Sequence, residues 1–269
     1  TTFSNFRFRY AREAIKVTDL SATTWTVSHS QFLNCVKGIE VVASSSGCGC
    51  GCGGGCGAVT SYFNLDNCLM SAVQYPVNHS STAGGCAPTS YQYVSLYNCT
   101  IDHSTLLATN GSYNLSSNVK ATNSVFANIS TLTNSSYLLG SSGSLAGGYN
   151  GFYGATAFGS SQKTSGSSPF QSVGAGGHYL TSASGFRDYG GGGLPASLTN
   201  DLKLRTTYPP PTVTANTTII APQTLVPQVQ RDTDTPDLGY HYDPIDYAYA
   251  NVYVTNAAVT LSNGVVVAT

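Results

Sequence analysis

Three features of the sequence predict an all-β fold, a parallel β-helix in which successive turns of chain stack on one another. Only 9% of the 269 residues are charged, against roughly 25% in an ordinary globular domain. Ser, Thr, Asn, Gly and Tyr take their place, residues that favour strands and turns over helical surfaces. The third feature is an internal repeat. Phe8-Arg9-Tyr10-Ala11-Arg12-Glu13-Ala14-Ile15-Lys16-Val17 aligns without gaps on Phe32-Leu33-Asn34-Cys35-Val36-Lys37-Gly38-Ile39-Glu40-Val41, a shift of 32 − 8 = 24 residues.

The first part of the predicted fold, residues 1–138, is a set of stacked coils. An Asn-Cys step recurs at Asn34-Cys35, Asn67-Cys68 and Asn98-Cys99, and as Asn123-Ser124, at intervals of 33, 31 and 25 residues. The longer intervals are explained by loops inserted at 44–58 and 77–90 in a unit of about 24 residues, a length that suits a coil of short strands without a helical half. In such a stack each coil buries its inner face on the next, about 4.8 Å away. Asn34, Asn67, Asn98 and Asn123 are expected to form a ladder at one corner, with their side-chain amides bonded along the stack. Cys35, Cys68, Cys99 and Ser124 would fill the column beside it.

Residues 139–207 hold sixteen of the 29 glycines among scattered aromatic residues, too aromatic for a flexible linker. They are expected to form an excursion packed on one flank of the solenoid. One short helix falls at Pro195–Thr206, capped by Ser197 or Thr199, with Leu198, Leu202 and Leu204 as its apolar stripe and Tyr208-Pro209-Pro210-Pro211 as its stop. Residues 208–269 return to strand, so that 1–269 reads as a single domain.

The composition also excludes functions. A formal charge of −1 offers no basic surface for a nucleic-acid backbone, and no apolar run reaches the ~18 residues of a membrane span. The opening Thr1-Thr2-Phe3 carries no leader, as expected of a mature product or an excised segment. Eight cysteines and one Met are compatible with an oxidising compartment. Sequons at Asn78, Asn98, Asn110, Asn114, Asn128, Asn134 and Asn216 would suit a secreted glycoprotein, although a chain this dense in Asn, Ser and Thr also produces such triplets by chance.

The run Arg231-Asp232-Thr233-Asp234-Thr235-Pro236-Asp237-Leu238-Gly239-Tyr240-His241-Tyr242-Asp243-Pro244-Ile245-Asp246-Tyr247, with Pro169–Gly176 and Thr206–Pro210, resembles a family of large, secreted right-handed parallel β-helix proteins of environmental, chiefly Verrucomicrobia-type, bacteria. The likeness spans about residues 1–247, and its most specific part is Asp-Leu-Gly-Tyr-His-Tyr-Asp-Pro. It implies fold and surface location and supplies no catalytic residues. In that family the segment is followed by further strand-rich sequence, whereas here it nearly ends the chain.

Several constellations invite chemistry. Cys48, Cys50, Cys52 and Cys56 alternate with glycine and could wrap a soft metal ion, but the absence of a nearby His favours a loop tied by disulfides within itself or to Cys86. Asp232, Asp234 and Asp237 alternate as a calcium site would accept. Asx-turns around Pro236 and Pro244 explain them equally simply and are preferred. His241 reads as a packed corner histidine. The carboxylate signatures of β-helix pectin hydrolases and the pectate-lyase block are absent, so a polysaccharide-cleaving enzyme ranks below a structural role and no cofactor beyond a possible calcium ion is expected.

The few charges are polarised. Arg7, Arg9, Arg12 and Lys16 against Glu13 give +3, and Arg231 against Asp232, Asp234, Asp237, Asp243 and Asp246 gives −4. With the termini at opposite ends of the solenoid, Arg7, Arg9, Arg12 and Lys16 of one copy would meet Asp243 and Asp246 of the next. The expected function is therefore an extracellular or cell-surface structural subunit that polymerises head to tail. The alternative is a module of a large adhesin or glycan-binding chain.

Overall fold

The structure is a computed structural model and describes residues 1–18, 23–43, 59–81, 90–111, 115–133, 143–213 and 215–268. The chain is built mainly of strands, and sixteen make up the main stack. They are β1 (Thr2–Ser4), β2 (Arg7–Arg9), β3 (Glu13–Val17), β4 (Thr24–Ser28), β5 (Gln31–Leu33), β6 (Lys37–Ala43), β7 (Val59–Asp66) and β8 (Leu69–Ser71). There follow β9 (Tyr75–Ser81), β10 (Ser90–Tyr97), β11 (Thr100–Asn110), β12 (Leu115–Thr122), β13 (Val125–Thr133), β14 (Ser144–Gly148), β15 (Gly151–Tyr153) and β16 (Lys163–Thr164). One sheet runs β1-β4-β7-β10-β12-β14, a second runs β2-β5-β8-β11-β13-β15-β16, and β3-β6-β9 joins the second through β11. Every one of these pairs is parallel.

The 24-residue repeat is the register of the first two rungs. Phe8 lies beside Phe32, Ile15 beside Ile39 and Val17 beside Val41. Because side chains alternate between the faces of a strand, one inward column runs Phe8, Phe32, Met70, Ile101, Phe126, Phe152. A second runs Trp25, Phe63, Val94, Val119, Leu145. Phe32, Met70, Ile101, Phe126 and Phe152 are at most 1% exposed. Each such side chain contributes roughly 1.5–3 kcal/mol by leaving water. Phe158 closes the far end of the stack, its ring centroid 5.0 Å from that of Phe126 and 5.3 Å from that of Phe152.

Between strands the backbone turns through left-handed residues at two corners. Asn5, His29, Asn67, Asn98, Asn123 and Tyr149 occupy one, and Tyr10, Asn34, Ala72, His103, Asn128 and Gly154 the other, all with φ between 48° and 60°. Asn is the non-glycine residue that tolerates this conformation best, which accounts for its recurrence. Asn34 therefore belongs to the second corner, and the first-corner equivalent of Asn67 is His29. Cys35 moves with it, beside Val73, while Cys68, Cys99, Ser124 and Asn150 share a column with Ser30.

The expected loop 44–58 lies outside the described residues. Of the expected loop 77–90, residues 77–81 belong to β9 and Ser90 begins β10, while 82–89 lie outside the description. The excursion also starts later than its glycine content suggests, since β14, β15 and β16 still pair in the stack.

After Thr164 the chain leaves the stack for a two-stranded antiparallel hairpin, β17 (Phe170–Val173) and β18 (Gly176–Leu180), then the short helix α1 (Ala196–Leu202). Leu198 and Leu202 are buried as expected, but neither Ser197 nor Thr199 caps the helix, Pro195 sits at the cap position, and Leu204 is exposed. A smaller parallel stack follows: β19 (Thr212–Val213), β20 (Thr217–Ile219), β21 (Gln223–Leu225), β22 (Tyr247–Tyr249), β23 (Val252–Val254), β24 (Val259–Leu261) and β25 (Val267–Ala268). β19 pairs with β22 and β22 with β25, β20 pairs with β23, and β21 with β24.

Candidate functional site

The segment 237–242 runs as a strap along the first corner, crossing the rungs. Gly239 N–H donates to the Asn123 carbonyl (2.8 Å), Tyr240 N–H to Thr100 Oγ1 (2.8 Å) and His241 N–H to Asn67 Oδ1 (2.7 Å). Asn98 Nδ2 donates to the Asp237 carbonyl (2.9 Å), Asn67 Nδ2 to the His241 carbonyl (2.9 Å), and Gln31 Nε2 to the Tyr240 hydroxyl (3.0 Å). Leu238 packs with Val125, and Tyr240 and Tyr242 with Leu69. The asparagine ladder is thus corrected: these amides reach outward to the strap, and Asn123 to the backbone of Gly191, instead of bonding to one another along the stack.

The same geometry relocates the acidic run. Asp232 and Asp237 are buried on the flank of the stack. Asp232 Oδ2 lies 2.6 Å from His241 Nε2 and accepts the Asp237 N–H at 2.9 Å. Asp237 accepts the Asp188 N–H at 2.8 Å and the Thr207 hydroxyl, with Arg187 3.5 Å away. Burial, opposed by the Thr207 and Asp188 bonds, leaves the Asp237 pKa above the ordinary carboxylate value. Three of these four oxygens meet protein donors, Asp232 Oδ1 is buried without a hydrogen-bond partner, and Asp234 is exposed. Among the described residues no group of three or more His, Cys, Asp or Glu is placed to hold a metal ion.

Asp246 is fully buried, bonded to Arg231 and to the backbone of the small stack. It cannot face another subunit. Asp243 is exposed but paired with Arg205 at 2.5 Å. Arg7, Arg9, Arg12 and Lys16 lie exposed on the first rung, Lys16 paired with Glu13 at 3.1 Å.

Of the sequons, Asn78, Asn98 and Asn110 are buried with their amide nitrogens bonded to Glu40, Asp237 and Leu115, so a glycan at any of them is incompatible with this fold. Asn128 is half-buried against Asp102, and Asn216 is exposed. Asn114 and Asn134 lie outside the described residues, as do Cys48, Cys50, Cys52, Cys56 and Cys86. Cys35, Cys68 and Cys99 are buried free thiols. Burial above all pushes the Cys99 thiol well up, which suppresses thiolate chemistry.

A polar notch of about 180 Å³ lies where α1 meets the first sheet, lined by Thr26, Ser28, His29, Asp66, Ser197 and Asp201. His29 Nε2 is 3.2 Å from Asp201 Oδ2. Burial raises the Asp66 pKa to about 6, and its Oδ1 is buried without a protein partner. A carboxyl raised toward neutrality in this way is suited to exchange a proton. The spacing of Asn67 invited attention to this corner, yet its acidic neighbour carries no sequence signal.

The raised pKa makes Asp66 a pH-dependent liability. Its proton is held more tightly in the fold than in the unfolded chain, so stability falls as pH rises from about 4 to 6. Asp66→Asn should raise neutral-pH stability by about 1–2 kcal/mol, allowing for its partial exposure. Urea titrations of both chains at pH 4 and 7 check this, because the gain should vanish at the lower pH.

No family model matches the chain, and no curated protein or solved structure matches it either.

Proposed function

We propose that the stacked strands form a right-handed parallel β-helix, and that the chain is an extracellular structural subunit whose open ends join head to tail into a filament. The observation that carries this reading is a pair of uncovered apolar surfaces, one on the first rung and one in the small stack, whose Ala248, Tyr249 and Ala268 share a pocket with Arg7. On the first rung Phe3, Phe8 and Ile15 are only partly buried and Phe6 is 47% exposed, and Trp25, stacked on Phe3 from the second rung, is partly buried too. The small stack opens in a hollow of about 420 Å³ lined mainly by Ile219, Leu225, Val252, Val254, Val259 and Leu261. Residues 212–225 and 247–268 contain no charged side chain, whereas strand edges that must stay single are normally charged, covered or bent away.

The placement of Asp243 and Asp246 changes how polarity would arise. With Asp246 buried and Asp243 paired with Arg205, the exposed Arg7, Arg9 and Arg12 act by repelling the same rung of another copy, which leaves the uncharged small stack as their partner. Association would then depend on buried apolar area and be strengthened by salt, the opposite of an ion-pair joint.

Negative-stain microscopy and sedimentation of the purified chain test this. Filaments or an extended series of oligomers are expected, and Val254→Lys with Leu261→Lys should return the chain to monomers by placing two ammonium groups in the hollow. Monodisperse monomers at high concentration and high salt would overturn the filament and favour the second reading, a module whose edges are covered by neighbouring coils of a longer surface chain.

A further inference from the structure

Away from the notch where α1 meets Thr26, Ser28 and Asp66, the first sheet keeps outward residues such as Tyr62, Tyr93 and Lys120 exposed, whereas the strap and hairpin pack against the second sheet. Along this face Tyr62 and Tyr93 sit on adjacent rungs in register. Their rings stack with centroids 5.2 Å apart and planes 16° apart. The next two rungs carry Asn118 and Ser144 in the same register. The aromatic stack therefore ends at Tyr93, and the surface steps down from its ring onto short polar side chains.

This step is a groove of about 380 Å³ lined by Tyr62, Tyr93, Ser95, Asn118, Lys120 and Ser144, with small apolar residues between. Tyr62 and Tyr93 are 41% and 40% exposed. The Ser144 hydroxyl donates to Asn118 Oδ1 at 2.9 Å, which fixes the amide so that its two N–H donors are offered to a ligand. Lys120 is exposed, and no carboxylate of a described residue lines the groove.

We propose that this groove binds an acidic polysaccharide, with one sugar ring against Tyr93, its hydroxyls on Asn118 and Ser144, and a uronate carboxylate on Lys120. A pyranose presents the matching surfaces: polarised C–H bonds on one face, which the negative face of an aromatic ring attracts, and donors and acceptors around its edge. A few convergent polar groups beside an aromatic wall are the usual composition of a ligand site. A cation with no counter-charge among the described residues of the groove selects a carboxylate-bearing sugar over a neutral one. The groove lies on the side of the stack, so binding does not depend on the axial assembly proposed above, and a chain that stays monomeric would still bind.

Calorimetric titration of the full chain with a hexamer of galacturonic acid, and in parallel with cellohexaose, tests the assignment. The expected result is binding of the hexauronate that Tyr93→Ala weakens at least tenfold with an unchanged thermal midpoint, Tyr93 being a surface side chain. Lys120→Gln, which removes only a charge, should abolish the preference over cellohexaose. No binding at about 1 mM hexauronate, equal affinity for both oligosaccharides, or unchanged binding by both variants would overturn the proposal.

Discussion

Gly239→Ala is expected to lower stability by about 2–5 kcal/mol and the thermal midpoint by roughly 4–20 °C. Gly239 has φ of +88°, and an added Cβ would lie 2.6 Å from Thr100 Oγ1 and 2.9 Å from Val125 Cγ2. Two costs combine. An L side chain in the left-handed region costs about 1–2 kcal/mol, and forcing a methyl into a filled interface costs about 1–3 kcal/mol more. Neither neighbour yields cheaply, because Thr100 Oγ1 accepts the Tyr240 N–H and Val125 is fully buried. The strap must lift away from the two rungs that carry Thr100 and Val125 to admit the methyl. Circular-dichroism melting measures the effect, and a midpoint within a degree of the parent would show that the strap contributes nothing to holding the rungs.

Asp246→Asn should be as damaging, costing about 3–5 kcal/mol by leaving Arg231 without its counter-charge and setting an amide donor against donors. The carboxylate receives N–H bonds from Gln228 (2.9 Å), Val229 (3.1 Å) and Val266 (3.0 Å), and both terminal nitrogens of Arg231 at 2.5 and 3.0 Å. Burial works to raise its pKa, but Arg231 and the three backbone donors prevail and hold it well below the ordinary carboxylate range. A carboxyl with a depressed folded pKa lends stability above about pH 4 and withdraws it as pH falls toward the folded value. The parent should therefore lose stability on acidification while the Asn variant, already destabilised, loses less. Parallel slopes for the two proteins between pH 2 and 5 would refute the role assigned to Asp246.

The inner face of the fold was legible in the chain because buried positions repeat by type. Phe8 with Phe32, Ile15 with Ile39 and Val17 with Val41 align in sequence as they do in space. The corners were legible only as a class. Asn is favoured wherever the backbone turns left-handed, and an Asn-Cys step occurs at both corners, so Asn34 was assigned to the column that His29 occupies. The outer face was hidden for a different reason. The strap doubles back along the stack, and bonds such as Asn67 to His241 join residues 174 apart, with partners that are largely backbone atoms and leave no mark on composition. Linear order suggested that an acidic run near the C-terminus would sit at the far end of the stack, and for the same reason Asp246 looked like surface charge when Arg231 makes it an internal fastening. Tyr62 and Tyr93 did carry a signal, the same 31-residue interval as Asn67 and Asn98, which matters only once the register is known.

A stack of repeats ordinarily behaves as a one-dimensional array in which each unit touches only its neighbours, so its ends can fray independently of its middle. The strap changes the dimensionality of that problem. Through Gln31, Asn67, Thr100 and Asn123 a single short segment holds four successive rungs, adding couplings that skip over units. A middle rung cannot loosen without releasing a segment that its neighbours also hold, and order is exchanged for cooperativity. The arrangement also has a direction in time. The rungs emerge first during synthesis and the strap more than a hundred residues after the rung at Asn123, so the array is free to adjust its register until the last contact sets it.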